Sequence, residues 1–482
     1  MPLKTSITCF VVLVAAIPAS ARIINVPADY PTIQAGIDAS VSGDTVLVAP
    51  GEYTENISIN GKEITLTSSN GPYETTILGH IVISGFSDTA SCTIQGFTQV
   101  GQERNPYGGQ PGIRINSGKP RIIGNIVTNN VWQGMGGAVF VHSQYALIQY
   151  NTIRDNWAVA EGGGIGILEA TEAEICYNII THNESGLVYE QAGMGGGISC
   201  QGGARISYNL IYNNRAQCFS YPNQGCGLGG GIMVYARACK IYNNTVVKNY
   251  VRRVSPNPPY EGGEGSGIYV AWYEPAETLV IENNVIAFNH RGGLHLDVGG
   301  RPFMERYNLI FGNDYYDLIV PETSATDIFA DPLFVDTAQN DFRLLPDSPC
   351  IDAGNPEYPP DPDSTRVDIG ALFFDQLVDI IDDHDAEAPF DFELSQNYPN
   401  PFNAQTAISY ELPNPAIVSL IIYDLTGKVI RRLVKSECQE PGPHAYSWDA
   451  TDGGGTAVST SIYFYELEID GKRLVKSMIL IK

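Results

Sequence analysis

From residue 111 to residue 314 the chain repeats one pattern of apolar and polar positions. A first element reads Gly-apolar-x-apolar and carries the pairs Ile113/Ile115, Val139/Val141, Ile165/Ile167, Ile198/Cys200, Ile232/Val234, Ile268/Val270 and Leu294/Leu296. Alternation of this kind predicts a strand with one face buried. A second element is keyed to one asparagine, which recurs as Asn125, Asn151, Asn178, Asn209, Asn244, Asn284 and Asn308. Three residues before it stands an isoleucine, from Ile122 to Ile281, and Glu305 breaks the rule in the last copy. Two residues after it stands Val127, Ile153, Ile180, Ile211, Val246, Ile286 or Ile310, and a further asparagine follows five residues on, from Asn130 and Asn156 to Asn289 and Asn313.

The intervals between key asparagines are 26, 27, 31, 35, 40 and 24 residues, so the repeat absorbs insertions and keeps its strands. One such unit cannot bury its apolar face alone, whereas stacked copies can. The expected fold is all-β: three short strands per turn, each bonded to its equivalent one turn on, coiled into a right-handed parallel β-helix. The key asparagines are read as architecture. The bend between the second and third strands needs left-handed backbone, which asparagine tolerates, and amides stacked at about 4.8 Å can bond along the ladder.

This repeat resembles the right-handed parallel β-helix of the pectin-lyase-like superfamily, with its asparagine-ladder turn. The segment Val26 to Gly71, VPADYPTIQAGIDASVSGDTVLVAPGEYTENISINGKEITLTSSNG, is similar to the opening of many such proteins, pectinesterases included. Within it Thr32 is placed to cap a short helix carrying Ile33 and Ile37, which would plug the open end of the coil. The run Asp331-Pro-Leu-Phe-Val, then Leu344 to Gly354 (LLPDSPCIDAG) and Val367 to Ala371 (VDIGA), resembles the closing segment of bacterial β-helix proteins of the choice-of-anchor type. The resemblance covers most of residues 22–375. It implies a fold more than an activity, because the superfamily hosts lyases, hydrolases, esterases, epimerases and non-enzymes.

After an acidic linker at 376–391 the pattern changes. Residues 392–482 alternate apolar and polar positions between Pro, Gly and Asn turns, as in a small Ig-like β-sandwich. Motif by motif, from Tyr-Pro-Asn-Pro-Phe-Asn (398–403) to the terminal strand ending in lysine, this module is similar to the sorting domain of type IX secretion substrates. The resemblance implies an address: the type IX machinery as partner, passage across the outer membrane, then release or attachment at the cell surface. A generic Ig-like binding domain is the alternative.

The N-terminus fits the same route. Lys4, an apolar run from Ile7 to Ile17 and Ala19-Ser20-Ala21 have the form of a secretory signal, so residues 1–21 are expected to be removed. No stretch approaches the roughly 20 apolar residues of a membrane-spanning helix. The formal net charge of -25 would repel nucleic acid and anionic membrane, and both are set aside as partners. Of nine cysteines, Cys9 leaves with the signal. Cys218 and Cys226 lie eight residues apart and are the expected disulfide of an oxidising compartment, while Cys200 has the position of a small core residue.

Candidate chemistry sits between the second asparagine and the next glycine cluster. These insertions run Val131 to Met135, Trp157 to Glu161, Glu184 to Met194, Arg215 to Leu228 and Tyr250 to Glu264, then shrink to Arg291. Insertions on one edge of a solenoid build a wall beside a flat sheet, and so a groove. Their aromatics, Trp132, Trp157, Tyr189, Phe219, Tyr221, Tyr250 and Tyr260, suit sugar rings, and equally suit packing within the loops themselves. The expected floor is the outward column of the first strand, Arg114, Phe140, Gly166, Ser199, Met233, Tyr269 and His295, with Asn116, His142, Gln201, Tyr235 and Asp297 one step on. A glycosidase needs two carboxylates roughly 5 to 10 Å apart, and the column offers Asp297 alone. A lyase or epimerase needs a base and a cation or metal. Arg114 with His142, and Arg291 with His295 and Asp297, supply parts of that set. The Asn-Thr-Asp and Asp-Pro-His-His motifs of related enzymes are absent. Glu169, Glu172 and Glu174 could take Ca²⁺ through oxygen ligands, or form a solvated face. Three readings stay open: a β-helix binding a polysaccharide or surface glycan, a polysaccharide lyase, and a structural stalk or adhesin.

Overall fold

The computed structural model describes residues 21–101, 109–168, 172–186, 193–218, 227–235, 239–253, 265–271, 278–361, 363–374 and 376, and most of 393–480. Residues 1–20 of the signal segment, residues 377–391 of the acidic linker, Glu169, Tyr189, Phe219, Tyr221, Tyr260, Cys226 and the Cys218 side chain lie outside the described residues.

The first region is a parallel β-helix. Every strand pairs with its equivalent one rung on, as in Ile113↔Val139, Arg114↔Phe140 and Ile115↔Val141. The first wall has ten strands, from Ile57–Asn60 through Ile113–Ile115 to Leu318–Ile319. The second has eleven, from Ile23–Val26 to Phe303–Arg306, and the third ten, from Gly51–Thr54 to Leu309–Phe311. The coil thus begins well before the asparagine-keyed repeat. Inside it, the alternating pairs of the first wall stack with Ile122, Ile148, Ile175 and their equivalents as one continuous apolar column. At the open end Thr32 Oγ1 accepts a hydrogen bond from Ala35 N, and the helix Ile33–Ala39 buries Ile33 and Ile37 against the first rungs.

Two expectations are corrected. Five successive rungs carry a fourth short wall, Val131–Trp132, Trp157–Ala158, Glu184–Ser185, Arg215–Cys218 and Tyr250–Arg253. Each lies where an insertion was expected to leave the coil, so the loops depart from a sheet edge. The second correction concerns the bend. The left-handed residue is the one before each key asparagine: Gly124, Tyr150, Tyr177, Tyr208, Asn243, Asn283 and Tyr307, with φ between 52° and 62°. The asparagine itself turns inward, so the need it meets is for hydrogen bonds. Asn178 Nδ2 donates to Asn209 Oδ1 (2.9 Å), to Ile148 O (2.9 Å) and to Cys176 O (3.0 Å), and Asn178 N donates to the same Asn209 Oδ1 (3.0 Å). One amide thereby satisfies backbone groups that a tight corner would orphan.

The second asparagines form a parallel ladder at the next corner, from Asn130 to Asn313. Both ladders end on aspartate. Asp327 Oδ1 accepts from Asn308 N (3.0 Å), and Asp317 Oδ1 accepts from Asn313 N and Nδ2 (2.9 Å each). The exception at Glu305 has a local partner, since Asn308 Nδ2 donates to Glu305 Oε1 (2.9 Å).

The closing segment lies against the outside of the third wall. Phe334, Phe342, Leu344, Cys350 and Ile369 cover Val247, Val285, Ala287 and Leu309 in a second core. There the left-handed corners switch from tyrosine to asparagine, and Asn243 Nδ2 donates to Asp368 O (2.9 Å) while Asn355 N donates to Asn283 Oδ1 (2.7 Å). The last region pairs two antiparallel sheets, one holding Thr406–Leu412 and the other Ala416–Tyr423, around Phe402, Trp448 and Tyr465. That is the arrangement of a small β-sandwich. Among the described residues no helix is long and apolar enough to cross a membrane.

Candidate functional site

The outer face of the first wall differs from an open groove floor. Met135, Glu161, Met194 and Leu228, each just before a glycine cluster, fold back over it and bond to one another between rungs. Gly136 N donates to Glu161 O (2.8 Å), Gly162 N to Met194 O (2.8 Å) and Gly195 N to Leu228 O (2.9 Å). Gly166 lacks a side chain where Met135 occupies the space. Phe140, Ser199, Met233 and Tyr269 are buried, Ser199 and Met233 completely. The accessible surface is the two ends of that column, where Arg114 and His295 are half-buried, and the neighbouring column, with Asn116, Gln201 and Tyr235 half-buried and His142 and Asp297 exposed.

Three groups result along the wall. At the N-terminal end the Arg114 guanidinium lies 5.7 Å from the ring centres of both Trp132 and Phe140, and its Nε donates to Asn116 Oδ1 (3.1 Å). His142 stacks on Phe140 at 6.2 Å. Arg114 and His142, expected on adjacent rungs, are thus joined through Phe140. At the C-terminal end Tyr269 packs on His295 (4.6 Å), the His295 Nδ1 and the Tyr316 hydroxyl are 3.3 Å apart, and Gly265 N donates to that hydroxyl (2.9 Å). Arg291, expected beside His295 and Asp297, has its guanidinium over the Tyr315 ring (5.0 Å).

The middle group went unnoticed in the sequence. Glu161 Oε2 accepts from Ser199 Oγ (2.8 Å) and Gln201 Nε2 (3.0 Å). Burial raises the Glu161 carboxyl above its ordinary value, against the opposing effect of those two donors. The Tyr235 hydroxyl meets Met194 Sδ, and its phenol is pushed up by burial and then by Glu161 and Tyr269. A signal was present: Met135, Glu161, Met194 and Leu228 each precede the first inward residue of the next strand by four positions. Only Glu161 places an acid there among these four.

The fourth wall adds a second outward column. Ala158, Ser185, Ala216 and Val251 face inward and are buried, which turns Trp157, Glu184, Arg215 and Tyr250 outward in register. Arg215 approaches Glu184 (3.9 Å) and lies over Tyr250 (5.6 Å), Tyr250 stacks on His290 (4.4 Å), and His290 Nδ1 is 2.6 Å from Asp314. Trp157 thus belongs to a sheet face instead of a loop.

Glu161 and Asp297 do not stand together at glycosidase spacing. Glu161 contacts the rung of Ser199, and Asp297 stands three rungs further on, about 14 Å at the usual strand spacing. Of the acidic group read as a calcium candidate, Glu172 is exposed and Glu174 faces Arg205 (3.7 Å). Among the described residues no three or more His, Cys, Asp or Glu side chains gather to hold a metal.

A family model described as right handed beta helix region matches residues 76–246. No curated protein matches the chain. Among solved structures the chain is similar to the pectate lyase Pel9A, at 17% identity over 73% of this chain and 97% of that one, with a TM-score of 0.36. Shorter likenesses exist to two Porphyromonas gingivalis proteins. One is dimeric latent PorU (23% identity, 20% of this chain, 10% of that one, TM-score 0.17). The other is PorZ, a surface component of the type-IX secretion system (19% identity, 19% of this chain, 12% of that one, TM-score 0.14).

Proposed function

We propose that this β-helix is exported and binds a polysaccharide along the adjoining outer faces of its first and fourth walls. The observation that carries the reading is the register of two columns. Asn116, His142, Gln201 and Tyr235 follow one another along the first wall, with Leu168 on the rung between His142 and Gln201. Trp157, Glu184, Arg215 and Tyr250 stand on four successive rungs of the fourth, so hydrogen-bonding and aromatic groups recur at the rung spacing of about 4.8 Å. That spacing is close to the length of one sugar residue. Aromatic faces bind the apolar side of a sugar ring, and amide, imidazole and guanidinium groups bind its hydroxyls. The strongly negative chain disfavours a polyanion as ligand, so neutral glycans fit better than uronates. The test is a binding panel of neutral and acidic polysaccharides. Gln201→Ala and Tyr250→Ala should each weaken the best ligand by about tenfold, and a panel without any binder sinks the proposal in favour of a stalk.

A second reading, catalysis, is favoured by the raised carboxyl of Glu161, which a general acid requires. Incubation of the protein with the same panel, followed by reducing ends and by the absorbance of unsaturated products, tests it. Turnover that disappears in Glu161→Gln with binding retained supports an enzyme, and intact substrates throughout exclude one. The C-terminal sandwich is proposed as the type IX sorting address on its sequence motifs. Removal of 392–482 should then trap the protein inside the outer membrane, as read by cell fractionation.

A further inference from the structure

We infer that Cys200 and Cys239 are an oxidative cross-link site that staples two adjacent rungs directly beneath the Glu161 group. Cys200 ends the first-wall strand Ile198–Cys200 with its side chain turned into the coil. Cys239 precedes the second-wall strand Lys240–Tyr242 of the next rung and faces the same interior. Their sulfurs are 3.4 Å apart, both residues are fully buried, and both thiols reach the carbonyl of Gly202 at the corner between the walls. Bringing the sulfurs to the roughly 2.05 Å of a disulfide asks for a little over an ångström of approach, which a rotation about the two Cα–Cβ bonds can supply.

The location ties this pair to the site. Ser199 and Gln201, the two donors to Glu161, flank Cys200, and Tyr235 stands on the rung that Cys239 follows. The chain between the two cysteines also carries the long insertion after Asn214. A covalent tie at this corner holds the two rungs in register on both sides of that insertion and reduces the freedom of the unfolded loop.

The step balances as thiol–disulfide exchange with a small-molecule or protein disulfide. One thiolate attacks a sulfur of the oxidant and displaces a thiolate; the second cysteine attacks the mixed disulfide and displaces the other. The two cysteine protons end on the two thiols released. The hydrogen bond with the Cys239 thiol, and then burial, hold Cys200 in its protonated form in the folded coil, so the bond forms as the rungs assemble rather than afterwards.

The experiment refolds the reduced full chain in a glutathione and glutathione disulfide buffer. The product is denatured without reductant directly into excess iodoacetamide at about pH 8, where the exposed thiols ionise, then reduced and labelled with N-ethylmaleimide. Peptide mapping should find the second label on Cys200 and Cys239, and the unreduced digest should hold their two peptides as one species lighter by two hydrogens. Iodoacetamide on both residues, or a bond from either to a different cysteine, overturns the inference. In a Cys218→Ser, Cys226→Ser background, reductant should lower the melting midpoint by about 5 °C, and Cys239→Ala should remove that response. A midpoint indifferent to reductant in the background protein counts equally against the staple.

Discussion

At the scale of single residues, the fold depends on groups that close a tight corner without leaving buried polar atoms unpaired. Asn209 is the central example. Its Nδ2 donates to Ile175 O, Ser207 O and Asn244 Oδ1, and its own Oδ1 accepts from Asn178 N and Nδ2. Asn209→Ala removes all of these at a fully buried position and should cost about 3 kcal/mol, read as a lower denaturant midpoint. Histidine or glutamine cannot restore the same short reach, so neither should rescue it. The glycine clusters have a different cause. Gly195 is left-handed at φ 62°, and a Cβ on Gly196 would press into the backbone of Arg215 and the carbonyl of Gly230. Since backbone on the next rung cannot yield as a side-chain tip does, Gly196→Ala should be insoluble or show disrupted rungs by circular dichroism.

At the scale of elements, the two ends of the solenoid are closed by different means. The first rung is plugged by an apolar helix, whereas the last rungs are held by acids. Asp327 and Glu305 terminate one ladder, and burial raises both carboxyls, with each close to the other. In the closing segment burial pushes Asp361 up to about 7 and Asp368 up to about 6. These folded values exceed the unfolded value near 3.9, so the fold favours the protonated forms. The stability they contribute is fully present below about pH 4 and is lost as pH rises through 6 and 7. Amide protection of residues 350–374, corrected for intrinsic exchange, should therefore be greater at pH 5 than at pH 8. Equal protection at both would mean that these acids are paired in a way the carboxyl environments do not suggest.

At the scale of the whole molecule, the two regions have separate cores. The continuous column of the solenoid and the aromatic centre of the sandwich share no residue. Each has the apolar interior that a domain needs to fold alone. Truncation after residue 376 should leave the melting midpoint of the β-helix within about 2 °C of its value in the full chain, and any larger fall would show that the sandwich supports the coil. Polysaccharide binding, if it follows the two columns, should survive the same truncation unchanged.

The pattern of Ile, Val and Asn along the chain was enough to determine the coil, its inward faces and both asparagine columns, because those depend on periodicity and on groups that every rung must satisfy. The outward column was also legible in order. Its accessibility was not. Phe140 is covered by Trp132, Arg114 and His142, Ser199 by Glu161 folding back across the corner, and Tyr269 by His295, and no local preference of those residues announces it. The fourth wall likewise looked like the start of loops, since two to four residues are too few to show alternation. Glu161 meeting Ser199 and Gln201, and Cys200 meeting Cys239, join positions 38 to 40 residues apart, with 39 between the two sulfurs. Insertions of unequal length separate such positions along the chain, and only the stacking of rungs at a fixed spacing brings them to one place.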